Sequence, residues 1–268
     1  MIKTYAISLE RSTERRRHIT SHLAKTNLDY TIINAIDGRN ISQTEKEKLV
    51  APDVINYRFY ASGEIKFNNG AVGCQLSHIE AYKQFLNTDD EFAFVVEDDV
   101  VLPKNINQIL ENVTKYMTTD SVCLLHYYHP GAMDFSTINA IDLQDMQLLI
   151  PIEIPGSTAA YIIGRRAAIK YIAGILPIRN TADEWTSFYR QGFFSDVRIL
   201  YPRQIQTKHF KSVIDYVPTN NLKGKILYFI NRYKIPPVYQ LLMWRRKRYF
   251  ETECSTINLI NEKSEFDK

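Results

Sequence analysis

The stretch FAFVVEDDVVLP, residues 92–103, decides the fold. Five apolar residues at 92–96 precede three consecutive carboxylates, Glu97, Asp98 and Asp99, and further apolar residues follow them. An unbroken apolar run of this kind predicts a strand that is buried on both faces, as in a parallel sheet. The three carboxylates then stand at the carboxyl end of that strand, where α/β sheets commonly bind their ligands.

The acidic triplet at 97–99 has no basic residue beside it in the sequence. A solvated surface turn is one interpretation. However, adjacent carboxylates that leave a buried strand repel one another, and desolvating each of them costs several kcal/mol without compensation. A divalent cation supplies that compensation, and oxygen ligands suit Mn²⁺ or Mg²⁺. The apolar flanks therefore favour a metal–diphosphate site, in which the metal neutralises charge on a leaving nucleoside diphosphate.

Strands and helices alternate on both sides of the triplet. Apolar runs predict strands at 4–9, 30–36, 121–126 and 159–163. Apolar residues at helical spacing predict helices at 12–25, 71–86 and 106–113, and another from residue 165. Ser12 is the expected N-cap of the first helix, Asp37-Gly38 predicts a turn, and Ser42 and Glu45 stand in capping-box register. This alternation predicts an α/β sheet that is open at its carboxyl edge.

The composition is that of a folded globular protein. The chain has 268 residues, of which 45% are hydrophobic and 24% charged, and these values exclude wholesale disorder. Three widely spaced cysteines without a CxxC pair argue against a disulfide framework and a structural zinc site. The N-terminus lacks the apolar core of a signal peptide, and no stretch approaches the roughly 18 apolar residues of a membrane span. We therefore expect an intracellular chain without a transmembrane segment.

The net charge of +3 is unevenly distributed. Residues 217–250 contain eight Lys or Arg and no Asp or Glu, so this segment carries +8 and leaves −5 on the remainder. Aromatic and aliphatic residues interleave with the basic ones, which favours an interfacial helix on anionic lipid. Packing on the main domain is the alternative, and nucleic-acid binding is the least favoured interpretation. We expect a main domain at 1–216 and a basic helical extension at 217–268.

Five segments together resemble glycosyltransferase family 25, the lipooligosaccharide sugar transferases of Gram-negative bacteria. In chain order they are ISLERSTERR (7–16), NAIDG (34–38), GAVGCQLSH (70–78), FVVEDDVVL (94–102) and STAAYIIGRRAA (157–168). A weaker match covers 183–212, so the likeness spans about the first 215 residues. The resemblance implies a GT-A fold, a Rossmann-like mixed sheet that binds a nucleotide sugar. It also implies an inverting transfer, usually of galactose or glucose from UDP, to a lipid-anchored oligosaccharide.

The resemblance gives the acidic motif the task of coordinating Mn²⁺ and the donor diphosphate. Asp99 is the first expected ligand, and Glu97 and Asp98 support it. The motif reads Glu-Asp-Asp rather than Asp-x-Asp. His209 is a candidate further ligand from a late segment of the chain, as a histidine is in some GT-A enzymes.

Inverting transfer also needs a base that deprotonates the incoming hydroxyl. Asp183 is the first candidate for this base and Glu184 the second, although acidic residues are also favoured at helix N-termini for their interaction with the helix dipole. Trp185, which follows them, is expected to stack on a sugar face. Residues 156–158 are expected to line the acceptor pocket.

Candidate contacts to the nucleotide sugar lie in other segments of the chain. Arginine suits bidentate contact with phosphate, Asp37 can accept hydrogen bonds from ribose or uracil, and Gly73 permits close backbone approach. The alternatives are a solvated helix face for the arginines, a plain turn at Asp37 and a core or capping role for His78. The candidate residues are Ser8, Arg11, Arg15, Ala35, Asp37, Gly38, Gly73, His78, Glu97 and Asp98.

The sequence thus leads to one principal functional hypothesis. We expect an inverting, Mn²⁺-dependent (or Mg²⁺-dependent) glycosyltransferase that moves a hexose from a UDP-sugar to lipooligosaccharide, with galactose as the first expectation. The basic segment at 217–250 is expected to hold it at the cytoplasmic face of the inner membrane, without binding nucleic acid. The alternative is a non-catalytic protein that uses the same fold to bind a nucleotide or glycan.

Overall fold

The structure is a computed structural model that describes residues 2–57, 66–128, 132–208, 210, 226, 229–230, 233–248 and 254–258. Its strands are β1 (Lys3–Ser8), β2 (Tyr30–Asn34), β3 (Phe92–Glu97), β4 (Val100–Val101), β5 (Ser121–Leu124), β6 (Ala132–Asp142), β7 (Gln147–Pro151), β8 (Ala160–Gly164), β9 (Asp196–Tyr201), β10 (Gln206–Thr207) and β11 (Cys254–Asn258). Its α-helices are α1 (Thr13–Leu23), α2 (Gln43–Leu49), α3 (Asn69–Leu86), α4 (Ile106–Thr114), α5 (Arg165–Gly174), α6 (Trp185–Arg190) and α7 (Val238–Arg248).

Nine of the strands form one mixed sheet in the order β11-β6-β7-β9-β5-β8-β3-β1-β2. Strand β1 runs parallel to β2 and β3, whereas β8 runs antiparallel to both β3 and β5. The remaining two strands, β4 and β10, form a short antiparallel pair. The architecture is a Rossmann-like mixed α/β sheet, as the GT-A expectation requires.

The predicted central strand, β3, is buried on both faces. Residues 93–96 are inaccessible to solvent. Ala93 and Val95 pack into one hydrophobic cluster, and Phe94 and Val96 pack into a second cluster on the opposite face. Strand β3 has parallel β1 on one side and antiparallel β8 on the other, in agreement with the mixed sheet that was expected.

The helices begin and end close to the predicted residues. The Asn68 side chain caps α3 by accepting a hydrogen bond from the Ala71 amide. Ser42 and Glu45 form the predicted capping box of α2. Ser12 occupies the N-cap position of α1, but its side chain makes no capping hydrogen bond. Four buried residues of α4 follow the predicted apolar spacing: Ile106, Ile109, Leu110 and Val113.

The second half of the sheet was not predicted. Strands β6 and β7 form an antiparallel pair, and β7 joins it to β9. Strand β11 pairs with β6 at the edge of the sheet. Residues 254–258 of the predicted extension therefore belong to the main sheet, while α7 is a helix within that extension.

The topology gathers several chain segments at one edge of the sheet. The carboxyl ends of parallel β1, β2 and β3 lie in register, with Ile7 opposite Glu97 and Ser8 opposite Asn34. Because β8 is antiparallel, the residues that precede it reach the same edge, and the Glu97 amide donates to the Ala159 carbonyl at 2.8 Å. This edge carries the acidic triplet.

Candidate functional site

The acidic triplet is compensated by a basic residue that is distant in sequence. Arg15 of α1 donates from Nε to Asp98 Oδ1 at 2.6 Å and from Nη2 to Asp99 Oδ2 at 2.9 Å. Ser8 Oγ donates to Asp98 Oδ2 at 2.8 Å. Asp98 is only 5% exposed. Its hydrogen bonds with Ser8 and Arg15 link the end of β3 to β1 and α1 at the sheet edge. Ser8, Arg15 and Asp98 were all predicted to contact the donor, and in this structure Ser8 and Arg15 each bind Asp98.

Asp99 keeps one carboxylate oxygen available. Its Oδ1 is buried and has no hydrogen-bond partner among the residues that the structure describes. Burial, followed by repulsion from Glu97, raises the pKa of Asp99 to about 7, although Arg15 opposes the shift. A divalent cation bound to Oδ1 would offset both the cost of burying the ionised carboxylate and its repulsion by Glu97. The Asp99 side chain therefore fits the ligand role that the sequence predicts for it.

The segment before His209 lies beside the same turn. The Lys208 amide donates to the Asp99 carbonyl oxygen at 2.7 Å, and β10 pairs with β4 just after the triplet. The Phe210 ring lies 5.6 Å from the Arg15 guanidinium carbon. His209 itself lies outside the described residues, so its predicted role as a metal ligand stays a prediction.

Glu97 is held by two polar side chains. Thr158 Oγ1 donates to Glu97 Oε1 at 2.6 Å, and His78 Nε2 lies 3.7 Å from the same oxygen. Burial raises the pKa of Glu97, but the interaction with the His78 ring 3.7 Å away, followed by the Thr158 hydrogen bond, outweighs burial and sets the pKa below its ordinary value. The Glu97 carboxylate is thus ionised at neutral pH, as a metal ligand must be.

A chain of hydrogen bonds positions His78. Its Nδ1 lies 2.8 Å from the Tyr161 hydroxyl, and the Tyr82 and Tyr161 hydroxyls lie 2.7 Å apart. His78 is 1% exposed. Tyr161 is buried, and its hydroxyl links the core to the acidic site.

The two candidate bases are held differently. The exposed Asp183 accepts from Thr181 Oγ1 at 2.8 Å, and its Oδ2 lies beside the backbone of Gly156. Glu184 instead forms an ion pair with Lys66 Nζ at 2.6 Å and accepts from the Thr181 amide at 2.7 Å. Of the two carboxylates, Glu184 is therefore bound by Lys66 and Asp183 is not.

The predicted stacking role of Trp185 is wrong. Its side chain is 1% exposed and its Nε1 donates to the Ser157 carbonyl at 2.8 Å. The ring packs edge-on against Tyr161. Trp185 is a core residue that fixes the loop before β8 and cannot stack on a sugar.

A cleft of about 550 Å³ opens beside β2, a volume within the usual range for small-molecule sites. Asp37 lies on its wall and pairs with Arg11 at 2.6 Å and with Arg39 at 2.7 Å. Arg39 and then Arg11 hold the pKa of Asp37 well below its usual range. Ala35, just before this wall, donates its amide to the Ser8 carbonyl. The cleft is lined by Ile36, Asp37, Asn40, Ile41, Glu45, Lys48, Leu49 and Leu76.

One family model matches more than half of the chain. The sequence model of glycosyltransferase family 25, described as an LPS biosynthesis protein, matches residues 1–186 of the 268. The chain belongs to glycosyltransferase family 25. The acidic triplet, Arg15 and both candidate bases lie within the matched residues, and the basic extension lies outside them.

Relatives of this family 25 chain are bacterial and animal proteins. A Haemophilus influenzae protein named as a glycosyltransferase is 32% identical over 107 residues, which cover 40% of this chain and 36% of the relative. Lipooligosaccharide biosynthesis protein lex-1 of the same species is 28% identical over 132 residues, covering 44% of this chain and 43% of the relative. Human procollagen galactosyltransferase 2 is 26% identical over 114 residues, covering 41% of this chain and 18% of the relative. The matched stretch spans less than half the length of each relative.

Among solved structures, one match to the family 25 chain is the inositol-1-phosphate CTP transferase from T. maritima. It aligns with a TM-score of 0.41 at 9% sequence identity. The alignment covers 85% of this chain and 95% of that chain.

Sequence reasoning missed several contacts of the family 25 site. Thr158 was expected to line the acceptor pocket, and its hydrogen bond to Glu97 was not anticipated. Tyr82 and Tyr161 offered one usable signal, because a buried tyrosine hydroxyl normally finds a hydrogen-bond partner. Lys66 carried no such signal, since its partner Glu184 lies far along the chain.

Gly38 and Gly73 bring α3 against the turn after β2. A Cβ atom on Gly73 would lie 2.6 Å from the Ile36 carbonyl oxygen and 2.9 Å from the Gly38 amide nitrogen. A Cβ atom on Gly38 would likewise collide with the Asn69 backbone. The group that lies close to Gly73 is therefore the protein's own backbone in the turn after β2. Contact of Gly38 or Gly73 with the donor stays a prediction.

We expect Gly73→Ala to lower the free energy of unfolding by about 1–3 kcal/mol, because overpacking displaces α3 from the turn. Helix propensity alone predicts the opposite sign, a gain of about 1 kcal/mol. Urea denaturation of the purified variant measures the difference. A Gly73→Ala variant that is more stable than the wild type would show that α3 does not press on the turn.

His126 follows β5 at the same sheet edge and is buried in the neutral form. Its Nδ1 lies 2.9 Å from the Ile205 carbonyl oxygen. Burial lowers the pKa of His126 to about 4, below its ordinary value of about 6.5. The unfolded chain therefore takes up this proton first as the pH falls, which favours unfolding.

As the pH falls from 6.5 to 4, we expect protonation of His126 in the unfolded chain to lower the free energy of unfolding by about 3 kcal/mol. Above pH 6.5 we expect no effect of His126. His126→Asn, whose side-chain amide can still donate to Ile205, should flatten this part of the stability–pH curve. Urea denaturation of the wild type and of this variant at several pH values measures the slope. An unchanged slope in His126→Asn would contradict the burial of a neutral imidazole here.

Proposed function

We propose that this chain is an inverting glycosyltransferase that moves a hexose, galactose first, from a UDP-sugar to a hydroxyl of lipooligosaccharide. The observation that carries the proposal is the buried, unpartnered Oδ1 of Asp99 among the described residues at the carboxyl edge of the sheet. Family membership and the adjacent cleft of about 550 Å³ support it. The name of the human relative, a galactosyltransferase, supports galactose, and the name of lex-1 supports the acceptor.

The donor is proposed to lie across the ends of β1, β2 and β3. Its nucleoside would occupy the cleft, where Asp37 can accept from ribose or uracil, and Ala35 and Gly38 are proposed as further contacts beside Asp37. Arg11 and Arg15 can each turn from their present carboxylate partners to phosphate oxygens, to which arginine binds in a bidentate manner. Ser8, Gly73, His78 and Asp98 are proposed to support this site from the protein side.

Asp99 and Glu97 are proposed to hold Mn²⁺ or Mg²⁺, with His209 as a further ligand. When bound, the cation supplies positive charge that stabilises the departing diphosphate. The chain's own contribution is to fix the carboxylates: Thr158 and His78 orient Glu97, and Arg15 orients Asp99. Ligands held in this way lose little energy to reorganisation during the reaction.

Asp183 is proposed to take the proton of the acceptor hydroxyl as the hydroxyl oxygen attacks the anomeric carbon. The bond from that carbon to the UDP oxygen breaks as the new glycosidic bond forms, and UDP leaves with the bonding electrons. Because attack comes from the face opposite the leaving group, the anomeric configuration inverts. Glu184, tied to Lys66, is the second candidate for the base.

A screen of UDP-sugars tests the proposed function. Purified full-length protein is incubated with UDP-galactose, UDP-glucose and their N-acetyl forms, with Mn²⁺, with Mg²⁺ or with excess chelator, and UDP release is measured with and without lipooligosaccharide. We expect acceptor-stimulated, cation-dependent release that is greatest with UDP-galactose. Donor binding without release from any UDP-sugar would support the non-catalytic alternative.

The non-catalytic alternative has a specific basis. Arg15 pairs with both Asp98 and Asp99, so part of the negative charge of the acidic turn is compensated without a cation in this structure. A mouse relative, 28% identical over 111 residues, is named inactive glycosyltransferase 25 family member 3. In that case the chain would bind a nucleotide or glycan at the same cleft and release no UDP.

The basic extension is proposed to attach the enzyme to the cytoplasmic face of the inner membrane. None of the helices in the described part of the chain is both long and apolar enough to cross a bilayer. The described residues of 217–250 nevertheless expose large apolar side chains next to basic sequence. These are Ile226, Phe229, Tyr233, Val238, Leu241 and Trp244.

We expect the chain to pellet with phosphatidylserine-containing vesicles and much less with neutral phosphatidylcholine vesicles. Replacing the four basic residues at 245–248 by Gln should weaken anionic binding by about 1 kcal/mol for each charge. Four exposed lysines of the main domain serve as the matched Gln control: Lys25, Lys83, Lys104 and Lys115. Equal pelleting of both quadruple variants would reject attachment through the extension.

A further inference from the structure

Three side chains of types that commonly bind metals lie close together where α3 packs near the end of β3. Cys74 and His78 lie four residues apart on α3, so they project from one face of the helix. Glu97 reaches them from the end of β3. One ligand atom from each residue, a sulfur, a ring nitrogen and a carboxylate oxygen, lies within 4.8 Å of the other two.

The two ring nitrogens of His78 are arranged as in a histidine that binds a metal. His78 is 1% exposed, and its Nε2 has no hydrogen-bond partner within the described ranges, the nearest acceptor being Glu97 Oε1 at 3.7 Å. The other ring nitrogen, Nδ1, contacts the Tyr161 hydroxyl at 2.8 Å. A histidine that ligates a metal usually donates its second N–H to such a partner, which fixes the ring and its tautomer.

We propose that Cys74, His78 and Glu97 bind a borderline-soft divalent cation of the Zn²⁺ class. Tetrahedral Zn²⁺ sites hold such ligand atoms about 3.3–3.8 Å apart. The three atoms lie within 4.8 Å of one another, so a contraction of no more than about 1.5 Å completes the site. Three protein ligands leave the fourth position for water, as in open zinc sites. Binding releases the thiol proton of Cys74 to solvent and forms a sulfur–metal bond.

This site differs from the proposed Mn²⁺ site in its ligands. A thiolate and an imidazole select zinc-like cations, whereas carboxylates alone suit Mn²⁺ and Mg²⁺. Glu97 is common to both sites, so Zn²⁺ held by Cys74 and His78 withdraws Glu97 from the donor cation. We therefore expect Zn²⁺ to inhibit sugar transfer in the presence of Mn²⁺, a consequence that rests on the proposed function.

Cobalt spectroscopy of the full chain tests the site without any activity. Co²⁺ is added to reduced protein, and thiolate-to-cobalt charge-transfer absorption is recorded in the near ultraviolet. We expect this band to saturate at one Co²⁺ per chain and to disappear when Zn²⁺ is added. Cys74→Ser and His78→Asn should abolish it, whereas Cys123→Ala removes a buried thiol outside the cluster and should leave the band intact.

Each outcome decides the proposal. A wild-type chain without the thiolate band, or a band that survives Cys74→Ser, overturns it. Circular dichroism confirms that each variant is folded, and Cys74→Ala replaces Cys74→Ser if the serine variant is not. The band requires no sugar transfer, so a chain that binds cobalt through Cys74 but releases no UDP upholds this site and rejects the proposed function.

Discussion

Asp99→Asn is expected to lower UDP-sugar turnover about 10³-fold while the chain stays folded. The substitution removes the negative charge of the carboxylate that offers a buried, unpartnered oxygen at the described sheet edge. Charge stabilisation by a catalytic metal contributes several kcal/mol, and each 1.4 kcal/mol corresponds to about a tenfold change in rate. Steady-state kinetics at saturating Mn²⁺ measure the loss, and denaturation in urea confirms the fold.

The matched control for this prediction is Asp89→Asn. Asp89 is exposed in the turn before β3, so the same chemical change is made at the opposite end of the strand. It should leave turnover unchanged. Asp99→Asn with wild-type turnover, or wild-type turnover in excess chelator, would show that Asp99 holds no catalytic cation.

Asp183→Asn is expected to lower kcat by about 10²–10⁴-fold with a much smaller change in the KM for the donor, since general-base catalysis contributes factors of this size. Asn keeps the shape of the side chain and the contact with Thr181 but cannot take a proton. The pH dependence of the residual rate provides a second measurement, because loss of the base removes its ionisation from the profile.

Glu184→Gln separates base catalysis from local structure. Glu184 is bound by Lys66 and the Thr181 amide, so its loss should lower the melting temperature more than Asp183→Asn does. Its kcat should fall less. If Glu184→Gln loses the larger part of kcat and Asp183→Asn does not, the assignment of the base is reversed.

The sequence was informative where burial on both faces leaves a strong pattern. The apolar run at 92–96 identified β3 because each of its faces packs into a separate hydrophobic cluster. Helix α4 was predicted because Ile106, Ile109, Leu110 and Val113 place one apolar stripe against the core. These local signals placed the acidic triplet at the correct edge of the sheet.

The sequence was less informative where one face of a strand is solvated. Strand β6 mixes polar and apolar residues, and Ile138 within it is 67% exposed. Neither a continuous run nor a clean alternation marks it as a strand. The β6–β7 pair and its junction with β9 were therefore missed, and so was the pairing of β11.

Long-range partners in the site also could not be predicted. Arg15 and Asp98 are separated by 83 positions, and only the parallel pairing of β1 and β3 brings them together. The triplet therefore seemed to lack a basic neighbour although the fold provides one. Trp185 was assigned to a sugar face on residue type alone, and its burial against Tyr161 depends on the antiparallel course of β8.

Proton NMR of UDP-galactose with the full chain, Mn²⁺ and lipooligosaccharide tests the proposed transfer most directly. We expect the α-anomeric signal of the donor to fall and a β-galactoside signal to rise in equal amount, with no change when Asp99→Asn replaces the wild type. An α-linked product would contradict inversion. An unchanged donor signal with every UDP-hexose tested would contradict the proposed activity.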